Sequence, residues 1–382
     1  MTPIPYGKQY ISDDDIQAVI STLRSDFLTQ GPQIDLFEER FANYVGAKYA
    51  VAVANGTAAL HLCALALEVN EKSRVITSPI TFAASANCIR YCGGEVYFVD
   101  INAKNLTLDI DKVQALIESR PKGYFSGIIP VDFAGLPVNL EQFQELARKH
   151  EMWIIEDACH APGGYFHDSK GHQQHCGNGN FANLAIFSFH PVKHIACGEG
   201  GMITTNDVKL YEKLLLLRTH GITKNPALMA QNHGGWYYEM QELGYNYRLP
   251  DINAALGLSQ LTRADKGLER RKEIAKIYDE AFKNTTLVST TPTSGHAYHL
   301  YVIQTEQRLE LYNFLRTKGI YSQVHYIPVH TLPYYQQLGW KQGDFPIAEQ
   351  YYAKCLSLPM YPSLTDEQLY FVINTVIHFL NG

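Results

Sequence analysis

The sequence has no apolar run long enough to cross a bilayer: stretches such as LCALAL (62–67) fall far short of the roughly 20 residues that a spanning helix needs. Blocks of like charge are missing as well. The 32 Lys and Arg and 38 Asp and Glu are interspersed and leave a net charge of -6. That gives no electrostatic footprint for nucleic acid or an anionic membrane, and confines any phosphate contact to a local pocket. The opening MTPIPYGKQYISDDD lacks the basic and apolar parts of a targeting segment, so a cytoplasmic protein is expected. Paired cysteine spacing is absent too. Cys63, Cys88, Cys92, Cys159, Cys176, Cys197 and Cys355 make an odd number at irregular intervals, which predicts reduced thiols and no disulfide.

One local cluster raises a metal reading, because His167, His172, His175 and Cys176 fall close together in GYFHDSKGHQQHCGNGN (164–180). Structural zinc sites favour paired C-x-x-C or H-x3-H spacing on ordered turns. This stretch reads instead as a polar hairpin, and no metal is expected.

What is present is a core. A chain of 382 residues with 46% hydrophobic content is long enough for two domains. From residue 44 to about 206 short apolar runs alternate with helical patterns: YAVAVA then TAALHLCALAL, RVITSP then FAASANCIRYC, EVYFVD then IDKVQALIES. The alternation continues through YFSGIIPVDF, LEQFQELARKH, MWIIEDA, LAIFSFH and GMITTN. Repeated strand–helix units predict an α/β fold with a mainly parallel sheet wrapped by helices. After Pro250 the pattern becomes a long helical segment, INAALGLSQLTRADKGLERRKEIAKIYDEAF. The strands YHLYVIQ and SQVHYIPV and the helices LELYNFLRTKG and DEQLYFVINTVIHFL follow. The expected division is a large α/β unit over residues 1–250 and a smaller α+β unit over 251–382, joined without a Gly/Ser linker.

Ligands of open α/β sheets collect at the carboxyl ends of strands, and those positions carry the chemistry here. After YAVAVA come Asn55, Gly56, Thr57 and Ala58 at the start of a helix, where free N–H groups and a hydroxyl suit a phosphate. After MWIIE comes Asp157, a carboxylate that is costly at a buried strand end unless a cation meets it. After LAIF come Ser188 and then Lys193, ahead of GEGG; a partly desolvated lysine there has a lowered pKa and can act as a nucleophile. Each feature alone has a bland reading: Thr57 as a helix N-cap, Asp157 as a cap or ion pair, Lys193 as an exposed loop lysine. With Phe82 in TSPITF to cover a ring, the set fits one cofactor, pyridoxal phosphate. Its phosphate, pyridine nitrogen and aldehyde need these groups.

The motifs FLTQGP, NGTAAL, TSPITF, IIEDACHA, FSFHPVK, GEGG and LGYNYRL, in that order between PYGKQYIS and SLPMYPSLTDEQ, resemble those of the DegT/DnrJ/EryC1/StrS sugar aminotransferases. The resemblance spans essentially the whole chain and implies the fold type I, aspartate-aminotransferase-like architecture. Residue by residue it implies that Lys193 is the Schiff-base lysine, Asp157 the partner of the pyridine nitrogen and His160 a neighbour of the cofactor's 3′ oxygen. Gly56, Thr57, Ala58 and Ser188 would hold the phosphate, Phe82 would stack on the ring, and Asn246 would reach the phosphate from the neighbouring subunit of a homodimer. GEGG would let the backbone pass close to the cofactor, while His190 and His194 read as packing or substrate-edge residues. Two departures stand out: Asn183 where many members have Asp, and the 164–180 hairpin.

The implied reaction moves an amino group from L-glutamate, leaving 2-oxoglutarate, onto a keto carbon of a nucleotide sugar. The stretches IPYGKQYIS, SDFLTQGP, FSFHPVKHI, HGITK and YYEMQELGYNYRL resemble members acting at C4 of a UDP-linked 4-keto-6-deoxy-N-acetylhexosamine on the route to pseudaminic acid. That likeness makes Tyr6, Leu28, Thr29, Gln30 and Gly31 sugar-nucleotide contacts, with Gln323, His325, Tyr326 and His330 closing the site. Arg248, beside Asn246, is a candidate for the donor carboxylate. A related sugar dehydratase would carry histidine in place of Lys193, and a non-catalytic regulator would be expected to lose Lys193 or Asp157; both residues are present.

Overall fold

The computed structural model describes residues 3–289 and 293–382. Seven strands form its central sheet in the spatial order Tyr49–Val53, Gly201–Thr205, Leu184–Ser188, Trp153–Asp157, Gly127–Ile129, Arg74–Thr77 and Glu95–Phe98. All neighbours are parallel except Gly201–Thr205, which runs antiparallel to both flanking strands. Strands covered on both faces need apolar side chains on both, and YAVAV, WIIED, LAIFS and GMITT meet this requirement: Val51, Val53, Ile155, Ile186 and Ile203 are fully buried in one core, and Ala50, Ala52, Phe187 and Met202 are buried in a second on the other face. The antiparallel strand has a local consequence. It follows Leu184–Ser188 through a loop that starts at the same end of the sheet where Asp157 terminates its strand, and Lys193 lies in that loop.

C-terminal to residue 262 the chain builds a three-stranded antiparallel sheet, Val288–Ser289, Tyr301–Gln304 and Cys355–Leu358. Helices Ala264–Phe282 and Asp366–Asn381 share its core. The N-terminal strand Ile4–Pro5 pairs in parallel with Ile320–Tyr321, so the start of the chain is tied to its last third. The helical stretch after Pro250 is two helices, Asp251–Leu261 and Ala264–Phe282. Between them Arg263 turns aside to grip Asp15 and the carbonyl of Tyr10. SQVHYIPV forms only a single bridge, Gln323 to Ser357, because Pro328 cannot donate to a ladder and His325 and Tyr326 line a cavity instead. No helix among the described residues is long and apolar enough to cross a membrane.

Behind Asp157 sits a second buried acid group. Asp132 and Glu156 are both almost fully buried, and their carboxyl oxygens and the Cys176 sulfur lie within 4.8 Å of one another. Asp132 donates its N–H to the carbonyl of Asp157 (3.1 Å) and accepts from Val138 N–H (2.9 Å), while Glu156 accepts from Gly177 N–H (2.9 Å). Burial pushes Asp132 up to about 7, and burial together with the charge of Asp132 pushes Glu156 well above the usual range. The folded state therefore holds a proton that the unfolded chain releases, and stability present at low pH is lost as pH rises from about 4 through about 7. Denaturation midpoints measured from pH 5 to pH 9 are expected to decline in the wild type relative to Asp132→Asn, which cannot ionise at that position. An equal slope in both would remove the shared proton from the account.

Candidate active site

A cavity of about 670 Å³ opens at the carboxyl ends of the parallel strands, the size of a small-molecule site. Helix Gly56–Ala66 points its N-terminus into it. Asn55 caps that helix by accepting from Ala58 N–H (2.8 Å), and the first-turn amides of Gly56 and Thr57 have no preceding carbonyl to take them. Gly56 packs closely on the neighbouring strand end: a Cβ there would stand 3.0 Å from Ser188 Cβ, tighter than ordinary contact. Gly56, Thr57, Ala58 and Ser188 all line the cavity.

Asp157 is buried and forms no ion pair among the described residues. Its Oδ2 accepts from Ser85 Oγ (2.6 Å) and its Oδ1 from Cys159 N–H (3.2 Å). It is thus neither a helix cap nor half of a salt bridge, and it faces the cavity. Phe82 stands at the same cavity with 63% of its surface exposed, its ring centroid 6.2 Å from that of Tyr326.

Lys193 is positioned by a loop closed on itself, in which Phe189 N–H donates to Gly200 O (2.8 Å) and Cys197 N–H to Phe189 O (2.9 Å). Phe189, Ile195 and Cys197 anchor the loop in the second core. Gly201 has its own reason to lack a side chain, since a Cβ would approach the Asn55 carbonyl to 2.6 Å. Desolvation lowers the Lys193 pKa below that of a free lysine, against the opposing charges of Cys159 and Asp157.

His160 accepts from Ala134 N–H at Nδ1 (3.3 Å), which leaves Nε2–H to donate to Tyr326 Oη (3.2 Å). Burial, reinforced by the Lys193 charge, holds its pKa well below 6.5, so it is a neutral donor. Tyr6, His325 and Tyr326 complete one wall of the cavity, with the Tyr6 and His325 rings 5.0 Å apart and His325 bonded to Ser357 Oγ (2.9 Å).

The other expected residues lie elsewhere. Gln30 and Gly31 line a second cleft with Arg218, Thr219 and Arg248. Asp251 clamps that segment through Gly31 N–H (2.7 Å) and Gln33 N–H (3.0 Å), and its own N–H donates to Leu28 O. Thr29 bridges to Pro250, and exposed Asn246 to Thr219. Gln323 is exposed and does not line the cavity. His330 is fully buried and bonded to Glu349 (2.9 Å). Of the hairpin residues, His172 pairs with Asp168 and His175 with Gln173, while Cys176 turns inward to the acid pair. Asn183 ties two strand ends by accepting from Ile154 N–H (2.9 Å). His190 is exposed at the cavity edge, and His194 is bonded to Ala297 O (2.8 Å).

Four contributors escaped the sequence reading. Ser85 reaches Asp157 from across the sheet, His61 and Tyr247 form a bonded pair on the cavity wall (3.1 Å), and His299 stands 3.4 Å from the Lys193 amine. Ser85 lies three residues beyond TSPITF, in the helix after the parallel strand Arg74–Thr77, and of the four only Tyr247 sits in a recognised motif.

The donor set suits pyridoxal phosphate: amides and hydroxyls for a phosphate at one end, an unpaired carboxylate for a ring nitrogen at the other, an amine and an open aromatic face between. The chain matches the DegT/DnrJ/EryC1/StrS aminotransferase family over residues 9–377. It is 38% identical to the spore coat polysaccharide biosynthesis protein SpsC of Bacillus subtilis, over 99% of this chain and 97% of that one. It is 36% identical, with the same coverage, to the UDP-4-amino-4,6-dideoxy-N-acetyl-beta-L-altrosamine transaminase of Campylobacter jejuni. Among solved structures, Helicobacter pylori PseC, an aminotransferase involved in the biosynthesis of pseudoaminic acid, superposes with a TM-score of 0.88 at 31% identity over 100% of both chains. The PLP-form of Spr1654 from Streptococcus pneumoniae superposes at 0.90 with 28% identity over 99% of both. The chain belongs to the DegT/DnrJ/EryC1/StrS family of sugar aminotransferases, which use pyridoxal phosphate.

Proposed function

We propose that this enzyme transfers the amino group of L-glutamate to C4 of a UDP-linked 4-keto-6-deoxy-N-acetylhexosamine, giving UDP-4-amino-4,6-dideoxy-N-acetyl-β-L-altrosamine and 2-oxoglutarate. The observation that carries the catalytic part is the buried Asp157 carboxylate, without a cation and facing the same cavity as the Lys193 amine. The altrosamine substrate is supported by likeness to the Campylobacter transaminase and to PseC. The similar identity to SpsC makes another nucleotide-linked keto sugar the second reading.

Bound pyridoxal phosphate supplies an electron sink for cleavage at the donor carbon. Asp157 keeps the ring nitrogen protonated, Ser85 and the Cys159 amide fix the orientation of that carboxylate, and Phe82 covers the ring face. Gly56, Thr57, Ala58 and Ser188 hold the phosphate. His160, neutral and with its Nε2–H on Tyr326 Oη, would stand beside the cofactor's 3′ oxygen. Lys193 Nζ would anchor the cofactor and would hold and move a proton at the reacting carbon. Residues 1–250 form the cofactor-binding unit, and 251–382 covers it, with His299, His325 and Tyr326 reaching in.

The enzyme works as a cytoplasmic homodimer. Gln30, Gly31 and Arg248 line the second cleft, with Asn246 bridged to its Thr219, Thr29 to Pro250, and Leu28 O bonded to Asp251 N–H, rather than lining the cavity of their own chain's Lys193. That arrangement suits a contribution to the partner's site, where a two-fold axis presents the same surface twice.

Borohydride reduction of the yellow holoenzyme, followed by peptide mapping, is expected to place the cofactor mass on the peptide containing Lys193. Lys193→Ala should lose turnover by about 10²–10⁴-fold or more; label on a different lysine contradicts the assignment. For the substrate, mass analysis of products from glutamate with a panel of UDP- and dTDP-linked keto sugars should show the UDP-linked 4-keto-6-deoxy-N-acetylhexosamine consumed in step with 2-oxoglutarate formation. Preference for a pentose or a dTDP-linked hexose would retain the transaminase and discard the altrosamine product.

A further inference from the structure

His299 belongs to none of the family motifs, yet the fold brings its Nε2 to 3.4 Å from Lys193 Nζ. We propose that His299 is a positioning residue for Lys193: its Nε2 accepts an N–H from the lysine amine and holds that nitrogen at the cavity whenever it is not bonded to the cofactor, with the lone pair left free. The inference rests on Lys193 being the Schiff-base lysine.

The ring has little freedom to be elsewhere. Ala297 N–H donates to Gly135 O (2.7 Å) and Leu300 N–H to Ala134 O (3.2 Å), so the segment is laid on the 133–135 turn. Gly135, at φ +95°, is the close approach that permits this, since a Cβ would stand 2.9 Å from the His299 and Tyr298 nitrogens and 2.8 Å from His160 O. From the other side Arg271, fully buried, donates to the carbonyls of Tyr298 (3.2 Å), His299 (3.2 Å) and Met360 (2.9 Å). The His299 ring packs on that of His160 with centroids 4.3 Å apart. A backbone clamped on both faces and a ring packed on a third hold Nε2 still.

The charge state follows from the surroundings. Asp157, Cys159 and Arg271 act on the Lys193 amine, and His160, His194 and His325 are the nearby histidines that feel its charge. Burial first, then the charge of Lys193, keeps His299 well below 6.5, so its imidazole is neutral, with one N–H and one lone pair. Nδ1 has no partner among the described residues, which leaves the contact at Nε2 to select the tautomer. An Nε2–H donor would occupy the only lone pair of a neutral lysine, the electrons needed for attack and proton transfer. An Nε2 acceptor leaves them available.

The test uses the full chain freed of cofactor, with trace acetylation of Lys193 followed across pH by peptide mass analysis. A neutral acceptor stabilises the ammonium more than the amine, so His299→Leu should move the Lys193 midpoint down by about one pH unit. His299→Gln, which keeps a carbonyl acceptor, should restore most of the shift. No shift in His299→Leu, an upward shift, or an equal shift in both variants overturns the proposal. Should His299→Leu fail to fold, the ¹⁵N spectrum of the wild-type histidines, with His299 assigned by its loss in His299→Gln, decides the same point: the Nδ1–H tautomer is expected, and the Nε2–H tautomer contradicts it. Borohydride mapping of the unaltered holoenzyme reports separately on Lys193, so a failure there is distinguishable from a failure of His299.

Discussion

A carboxylate removed from water and left without a cation is among the costliest groups a fold can carry, and Asp157 is held in that state. Its neighbours satisfy the two oxygens with a hydroxyl and an amide, from Ser85 and Cys159, and among the described residues none forms an ion pair with it. The compensation has to come from a ligand, and the surrounding architecture is organised around receiving one. The parallel strands end together, the helix Gly56–Ala66 presents unpaired amides across the same opening, and the one antiparallel strand turns the chain back so that Lys193 sits over it.

The supporting layer behind Asp157 is acidic too, and its chemistry is different. Asp132 and Glu156 are so deeply buried that they retain a proton, which spares Asp157 from facing two further full charges. The same turn that carries Asp132 continues through Ala134 and Gly135, where it takes the hydrogen bonds of Ala297 and Leu300. One short turn therefore links the cofactor's acid, the histidine His160 and the segment bearing His299.

Much of this was legible in the sequence because sheet chemistry is local in the chain: Thr57, Asp157 and Lys193 each follow an apolar run, and the strand–helix alternation fixes the side of the sheet on which they emerge. What was not legible depends on contacts between distant segments. His299 lies 106 residues from Lys193, in a stretch whose only visible pattern is that of a strand. SQVHYIPV has an apolar alternation, yet Pro328 and the turn of His325 and Tyr326 toward the cavity prevent a ladder. The helical pattern after Pro250 hides a break, because Arg263 serves Asp15 rather than helix continuity. His330 reads as a polar site residue in sequence, whereas its burial against Glu349 is visible only in three dimensions.

If Asp157 is buried unpaired in order to meet a protonated ring nitrogen, the energy of that contact must appear when the cofactor binds. Calorimetric titration of the cofactor-free chain with pyridoxal phosphate, for the wild type and for Asp157→Asn, measures it directly. A charge-assisted hydrogen bond of about 1.5–3 kcal/mol predicts affinity weakened by roughly 10- to 100-fold in the variant, with the fold intact by circular dichroism. Equal affinity in the two proteins would mean that Asp157 does not face the ring nitrogen and would contradict the account.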